Sequence, residues 1–131
     1  MNYNTSCVTY AQKEVRGRSM EPLFYDGETV ALLNGYYDCN DAKRGDIIAY
    51  NYSGNDNPII KRIIAEGGDL LEFDDDLLLI NNRPLKNSEN KTYVFSEKQK
   101  NMINLYIEEG RLVEDAFLIF GEDTKSSTDS R

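Results

Sequence analysis

The sequence has no histidine. That absence removes every Ser-His and Cys-His triad and takes away the commonest zinc ligand. Cysteine is scarce as well. Cys7 and Cys39 stand alone and match no metal-ligand spacing; one disulfide outside the cytoplasm and two unrelated thiols fit the sequence equally well. Basic charge is short: 15 lysines and arginines face 23 acidic residues, a net charge of −8. Such a chain repels phosphate backbones, so nucleic acid is not expected as a partner. It also repels anionic lipid headgroups unless basic residues gather locally.

Long apolar runs are missing too. Leu77-Leu78-Leu79-Ile80 and Ala116-Phe117-Leu118-Ile119-Phe120 have strand length, far short of the ~18 apolar residues of a spanning helix. The segment from Met1 to Lys13 has neither the basic flank nor the apolar stretch of a secretory signal. There are no repeats and no low-complexity linker. What remains is 131 residues, 40% hydrophobic and 29% charged, the profile of one globular domain over residues 1–131.

Turn formers divide the chain into short strands. Asp26-Gly27 precedes a strand at 28–33, and Lys43-Arg44-Gly45-Asp46 precedes one at 47–50. Residues 51–58 read as a loop. A strand at 59–65 ends at Gly67-Gly68-Asp69. Leu70 to Phe73 and Leu77 to Ile80 read as a strand pair bent at Asp74-Asp75-Asp76, and Asn81-Asn82 opens a further turn. Three adjacent carboxylates at a bend are ordinarily solvated, so no metal is expected there. Ser96-Glu97-Lys98-Gln99 then has the form of a capping box, with Met102, Ile103, Tyr106 and Ile107 at helical spacing and Gly110 as a stop. The pattern predicts a helix over 97–109, a strand at 117–120 and a polar loop from Gly121 to Arg131. The fold class is mainly β, with one helix in an inserted segment of about 82–115.

Two clusters carry chemistry. Ser19 lies in Arg16-Gly17-Arg18-Ser19-Met20-Glu21-Pro22, where Gly17 permits a left-handed backbone and Pro22 holds Glu21 extended. A serine so constrained can sit beside free backbone N–H groups able to hold an oxyanion; it can also be a simple turn serine. Without histidine, lysine is the base available to a serine nucleophile. Lys61 shares a strand face with Ile59 and Ile63, and an apolar face disfavours the ammonium relative to the amine. The competing reading makes Lys61 an edge-strand charge that deters aggregation.

Taken in order, these segments resemble type I signal peptidases. Gly17-Arg18-Ser19-Met20-Glu21-Pro22 with Asp26-Gly27-Glu28 is similar to that family's nucleophile box, and Lys43-Arg44-Gly45-Asp46-Ile47-Ile48 to the strand that follows. Ile60-Lys61-Arg62-Ile63-Ile64 with Gly67-Gly68-Asp69 is similar to the general-base box, followed by Ile80-Asn81-Asn82. The ending from Phe120 to Arg131 is similar to the terminal box, with Glu122-Asp123-Thr124 where the family usually has Asp-Asn-Arg.

The resemblance implies a signal peptidase/LexA-like complex of antiparallel β-sheets and a serine endopeptidase without cofactor or metal. Its substrates would be preprotein signal peptides, cut after small residues. Ser19 would be the nucleophile, Lys61 the general base and Ser127 the residue orienting the lysine. Gly17 and Met20 would belong to the oxyanion and substrate pocket, and Asp129 and Arg131 would form a structural ion pair. The family's transmembrane anchor and its further C-terminal strand are not seen in this sequence. Membrane association, with the catalytic domain on the extracytoplasmic side, would come through such an anchor or through a surface patch such as Leu23-Phe24-Tyr25. Two other readings share the fold: a LexA- or phage-repressor-like Ser-Lys autoprotease, and a non-catalytic binding domain.

Overall fold

The structure is a computed structural model, and it describes residues 4–50 and 59–124. The expected loop at 51–58 and the terminal residues Ser127, Asp129 and Arg131 lie outside the described residues.

The chain begins with a two-stranded antiparallel ladder, β1 (Thr9–Glu14) against β2 (Thr29–Asn34), running from Thr9↔Asn34 to Glu14↔Thr29. β1 is absent from the sequence reading for a physical reason. It is almost wholly exposed and lacks the apolar alternation that marks a half-buried strand, so its existence rests on pairing with β2. A short helix, α1 (Tyr36–Cys39), follows, with Gly35 at its start in the left-handed region at φ 82°. A Cβ on Gly35 would collide with the Cys7 carbonyl oxygen, so the glycine also permits a close backbone approach. Cys7 and Cys39 form a disulfide, with Cα atoms 6.0 Å apart.

The second sheet holds β3 (Ile47–Tyr50), β4 (Ile59–Glu66) and β10 (Phe117–Phe120), with β4 in the middle and both neighbours antiparallel to it. The third is a meander of β5 (Leu71–Asp74), β6 (Leu77–Ile80) and β7 (Arg83–Pro84). Asn81 and Asn82, at φ 51° and 69°, make the two-residue connection between β6 and β7; paired positive φ values suit the twist of a hairpin and favour asparagine.

Within the inserted segment, α2 (Glu97–Asn104) carries the expected capping box: the Ser96 hydroxyl accepts the Gln99 N–H, and the Gln99 side chain accepts the Ser96 N–H. The helix is shorter than the predicted 97–109. Leu105 and Tyr106 close it with bonds to Met102 and Ile103, three residues back. Ile107-Glu108 then pairs as β8 with β9 (Arg111–Leu112). Glu109 and Gly110, at φ 52° and 80°, are the turn of that hairpin rather than the end of a helix. Ile107 packs against the core in this arrangement, so the apolar spacing that suggested a longer helix is satisfied by a hairpin.

The core is one cluster between the second and third sheets. Ile64, Ala65, Leu118 and Phe120 meet Leu71, Leu78 and Ile80, and the inserted segment adds Tyr93, Phe95, Ile103 and Leu112. The insert is therefore part of the core. Among the described residues no helix is long and apolar enough to cross a membrane.

Candidate active site

The segment after β1 is held in a loop by its own backbone. Val15 donates to the Glu28 carbonyl at 2.7 Å and accepts from Gly27 at 2.8 Å. Gly17 sits at φ 88°, and its N–H donates to Asp26 Oδ1 at 2.7 Å. A Cβ at Gly17 would meet nothing within 4 Å, so the requirement there is the dihedral angle and not space. The Met20 carbonyl accepts from Leu23 and Phe24, the Glu21–Pro22 peptide is cis, and Met20 itself is buried. Arg18, next to the serine, is 84% exposed and pairs with Glu21 through Nε at 2.6 Å. In this loop Ser19 is half-buried, and its N–H has no acceptor among the described residues. The neighbouring Gly17 N–H is taken by Asp26.

Lys61 comes from β4 and is only 1% exposed. β4 is the central strand of its sheet, flanked by β3 and β10. The edge-strand reading of Lys61 therefore fails, because an edge charge must reach water. Ile48 lies opposite Lys61 in the ladder with β3. The Lys61 Nζ lies 2.9 Å from the Ser19 Oγ, a hydrogen bond across 42 residues of sequence. Burial of an ammonium favours its neutral amine, and a neutral amine can accept the serine proton.

A third segment fixes the serine from behind. Beyond β10 the chain turns over Ser19, and the Ser19 carbonyl accepts the Glu122 N–H at 2.6 Å and the Asp123 N–H at 3.3 Å. Glu122 is the first of three residues that depart from the resembled pattern, yet its carboxylate is buried and fully used. One oxygen faces Arg62 Nη2 at 3.4 Å; the other accepts the Ser88 N–H at 2.8 Å and the Ser88 hydroxyl at 3.1 Å. Asn87 Nδ2 donates to the Glu122 carbonyl at 2.9 Å, and the Tyr93 hydroxyl donates to the Gly121 carbonyl at 2.5 Å. Glu122 thus joins the Ser19 loop, the residue after Lys61 and the inserted segment. Sequence reasoning did not assign Asn87, Ser88 or Glu122 to the site. The available signal was a glutamate two residues beyond an apolar strand, and a carboxylate buried there needs partners.

A groove of about 740 Å³ is lined by Phe24, Val30, Leu32, Ile48 and Ile60, among others; Ile60 is the chain neighbour of Lys61. The Phe24 N–H donates to the Met20 carbonyl at 3.0 Å, so one lining residue of the groove is tied to the loop that carries Ser19. Among the described residues β2 pairs only with β1, and β3 only with β4; each leaves an edge unpaired. Unpaired strand edges beside an apolar groove suit an extended peptide.

A serine hydroxyl against a buried lysine amine is the pairing that acyl transfer needs when histidine is absent. The profile of the family described as signal peptidase, peptidase S26, matches residues 4–131. The chain belongs to that family. It is 26% identical over 126 residues to signal peptidase IB of Staphylococcus aureus (strain COL), an alignment covering 89% of this chain and 65% of that protein. It is 31% identical over 119 residues to signal peptidase I P of Bacillus subtilis subsp. natto, covering 89% of this chain and 63% of the relative. The chain thus spans a little under two thirds of the length of these relatives.

Proposed function

We propose that this chain is the catalytic domain of a serine endopeptidase that removes signal peptides from exported preproteins. The observation that carries the reading is the 2.9 Å contact between Ser19 Oγ and the Nζ of the buried Lys61. In the first step Lys61 takes the Ser19 proton as Oγ attacks the scissile carbonyl carbon. The Ser19 N–H, without a protein acceptor among the described residues, is placed to donate to the oxyanion. Lys61 then gives its proton to the leaving amine, and an acyl ester remains on Ser19. Water attacks that ester with Lys61 again as base, and the carboxylate product leaves with Ser19 restored. Ser127 as the residue orienting the lysine, and Asp129 with Arg131 as a nearby ion pair, stand on the motif alone.

The apolar groove suits an extended apolar segment upstream of the cut, in keeping with preproteins as substrates. The Cys7–Cys39 disulfide supports work in an oxidising compartment, because such bonds are rare where thiols are kept reduced. That agrees with a catalytic domain on the extracytoplasmic side of a membrane, and the net charge of −8 argues against a nucleic-acid partner. The test is cleavage of a preprotein by the wild type, Ser19→Ala and Lys61→Ala. Product is expected from the wild type alone, and cleavage by either variant would remove the dyad from the mechanism.

A further inference from the structure

Phe24 and Ile60 line one part of the groove; Thr5, Val8 and Tyr36 line another, and that part is built differently. The β1–β2 ladder stops at Thr9↔Asn34. Beyond it the chain continues on one side as residues 4–8 and on the other as Gly35 and α1, and both segments line the groove through Thr5, Val8 and Tyr36. No strand pairing joins them. They are joined instead by the Cys7–Cys39 disulfide and by paired hydrogen bonds between Asn4 and Asn40, at 2.7 and 3.0 Å. The close approach of Gly35 to the Cys7 carbonyl adds to this junction. From α1 the Tyr37 hydroxyl reaches across the groove to Asp46 Oδ2, at 2.9 Å, in the turn before β3. Burial, and then the bond to Asp46, raise the Tyr37 pKa well above its ordinary value, so the bridge stays a neutral donor through the physiological range.

We infer that the Cys7–Cys39 disulfide is a redox-controlled clamp on the groove: it holds α1 where Tyr37 bridges to Asp46, and so fixes the wall that grips the part of a peptide lying well upstream of the cut. This rests on the proposed peptide-cleaving role and assigns the disulfide a task within it. Both cysteines are half-buried, which leaves the bond within reach of a small thiolate. A dithiol reductant attacks one sulfur to give a mixed disulfide; its second thiol then resolves that bond. Two electrons and two protons pass to Cys7 and Cys39, and the reductant leaves as its own disulfide. With the bond open, the Asn4–Asn40 contacts are solvent-exposed and hold the junction weakly. α1 and the Tyr37 bridge then lose their fixed position, whereas Ser19 and Lys61 stay tied to β4 and to the segment after β10.

The test separates the far end of the groove from the dyad. Two fluorescent peptides are titrated against the Ser19→Ala chain, oxidised and after dithiothreitol treatment. One covers ten residues upstream of a preprotein cleavage site, and the other only two. Reduction is expected to weaken the long peptide about tenfold or more and to leave the short one within about twofold. The Cys7→Ser/Cys39→Ser double variant should match the reduced chain and ignore dithiothreitol. Equal loss for both peptides would make the disulfide a general staple, and an unchanged long-peptide affinity would remove the clamp; either overturns the inference. Preprotein cleavage by the wild type is followed in parallel. Cleavage whose KM does not respond to reduction overturns the clamp alone. Absence of both binding and cleavage overturns the clamp and the proposed function together.

Discussion

Two lysines end in enclosed positions, one against carboxylates and one against a serine hydroxyl. Lys100, on α2, has a side chain only 14% exposed, but its ammonium sits between two carboxylates: Glu97 at 3.1 Å, one turn back, and Asp76 at 3.2 Å, from the β5–β6 turn. The bond to Glu97 is the chief reason its pKa is raised, and burial acts against it. Lys61 is more deeply buried, on the middle strand of a sheet, and its Nζ meets a serine hydroxyl. A carboxylate neighbour keeps an ammonium charged and makes it a structural fastener. Deep burial favours the amine, and an amine beside a hydroxyl is a base.

Replacing each lysine with an isosteric apolar residue is the direct way to break that contrast. Lys61→Met should lower cleavage by about 10⁴-fold or more, as removing a catalytic base does. It should leave thermal stability equal or higher, because a buried amine is replaced by a well-packed apolar chain. Retained activity, or a collapse of the melting temperature, would place Lys61 among structural lysines. Wild-type kcat/KM, measured from pH 5 to 10, should fall towards acid, since only the unprotonated amine accepts the serine proton. A flat profile would count against Lys61 as the base.

The link between the two regions gives the next effect in size. Glu122→Ala removes the partner of Arg62 and Ser88, and should cost about 2 to 3 kcal/mol in denaturant unfolding. Cleavage should weaken with it, because the Glu122 segment holds the Ser19 carbonyl. A loss under about 0.5 kcal/mol would show that the insert and the site are energetically separate. Ser96→Ala deletes the cap of α2 and should cost about 1 kcal/mol, with kcat unchanged. Lys100→Met is expected to be the mildest. Because its pKa is raised on folding, the Lys100 contribution is present below the ordinary lysine pKa and disappears as pH rises through the raised value. Wild type and Lys100→Met should therefore converge in melting temperature at high pH. Divergence there would mean that packing, and not charge, is the role of this side chain.

Much of the fold was legible because local rules agreed with it. The turns at Asp26-Gly27, at Gly67-Gly68-Asp69 and at Asn81-Asn82 were readable from residues that favour bends or tolerate positive φ. The capping box at Ser96 was readable because the bonds it makes are local. The readings failed where pairing between distant segments decides. β1 has no pattern of its own, and Ile107 satisfies its burial in a hairpin as well as it would in a helix. α1, at four residues, is too short to leave a periodic signal. The site divides along the same line. Ser19 and Lys61 were open to bland readings from the missing histidine and the apolar face alone, and the resemblance to the family's ordered boxes is what singled them out. Asn87, Ser88 and Glu122 were not singled out, because each matters through a contact more than thirty residues away.

By itself the sequence determined the chemistry that is available: no histidine, a serine in a constrained turn, and a lysine among isoleucines. It also determined the motif order of the family. Only the tertiary structure decided that β4 lies in the middle of its sheet, that Lys61 Nζ reaches Ser19 Oγ, and that Cys7 meets Cys39. The physical reason is that burial, unlike turn preference, is a property of what packs around a residue. For Lys61 those neighbours include Ile48 of β3 and Ser19 of the loop after β1.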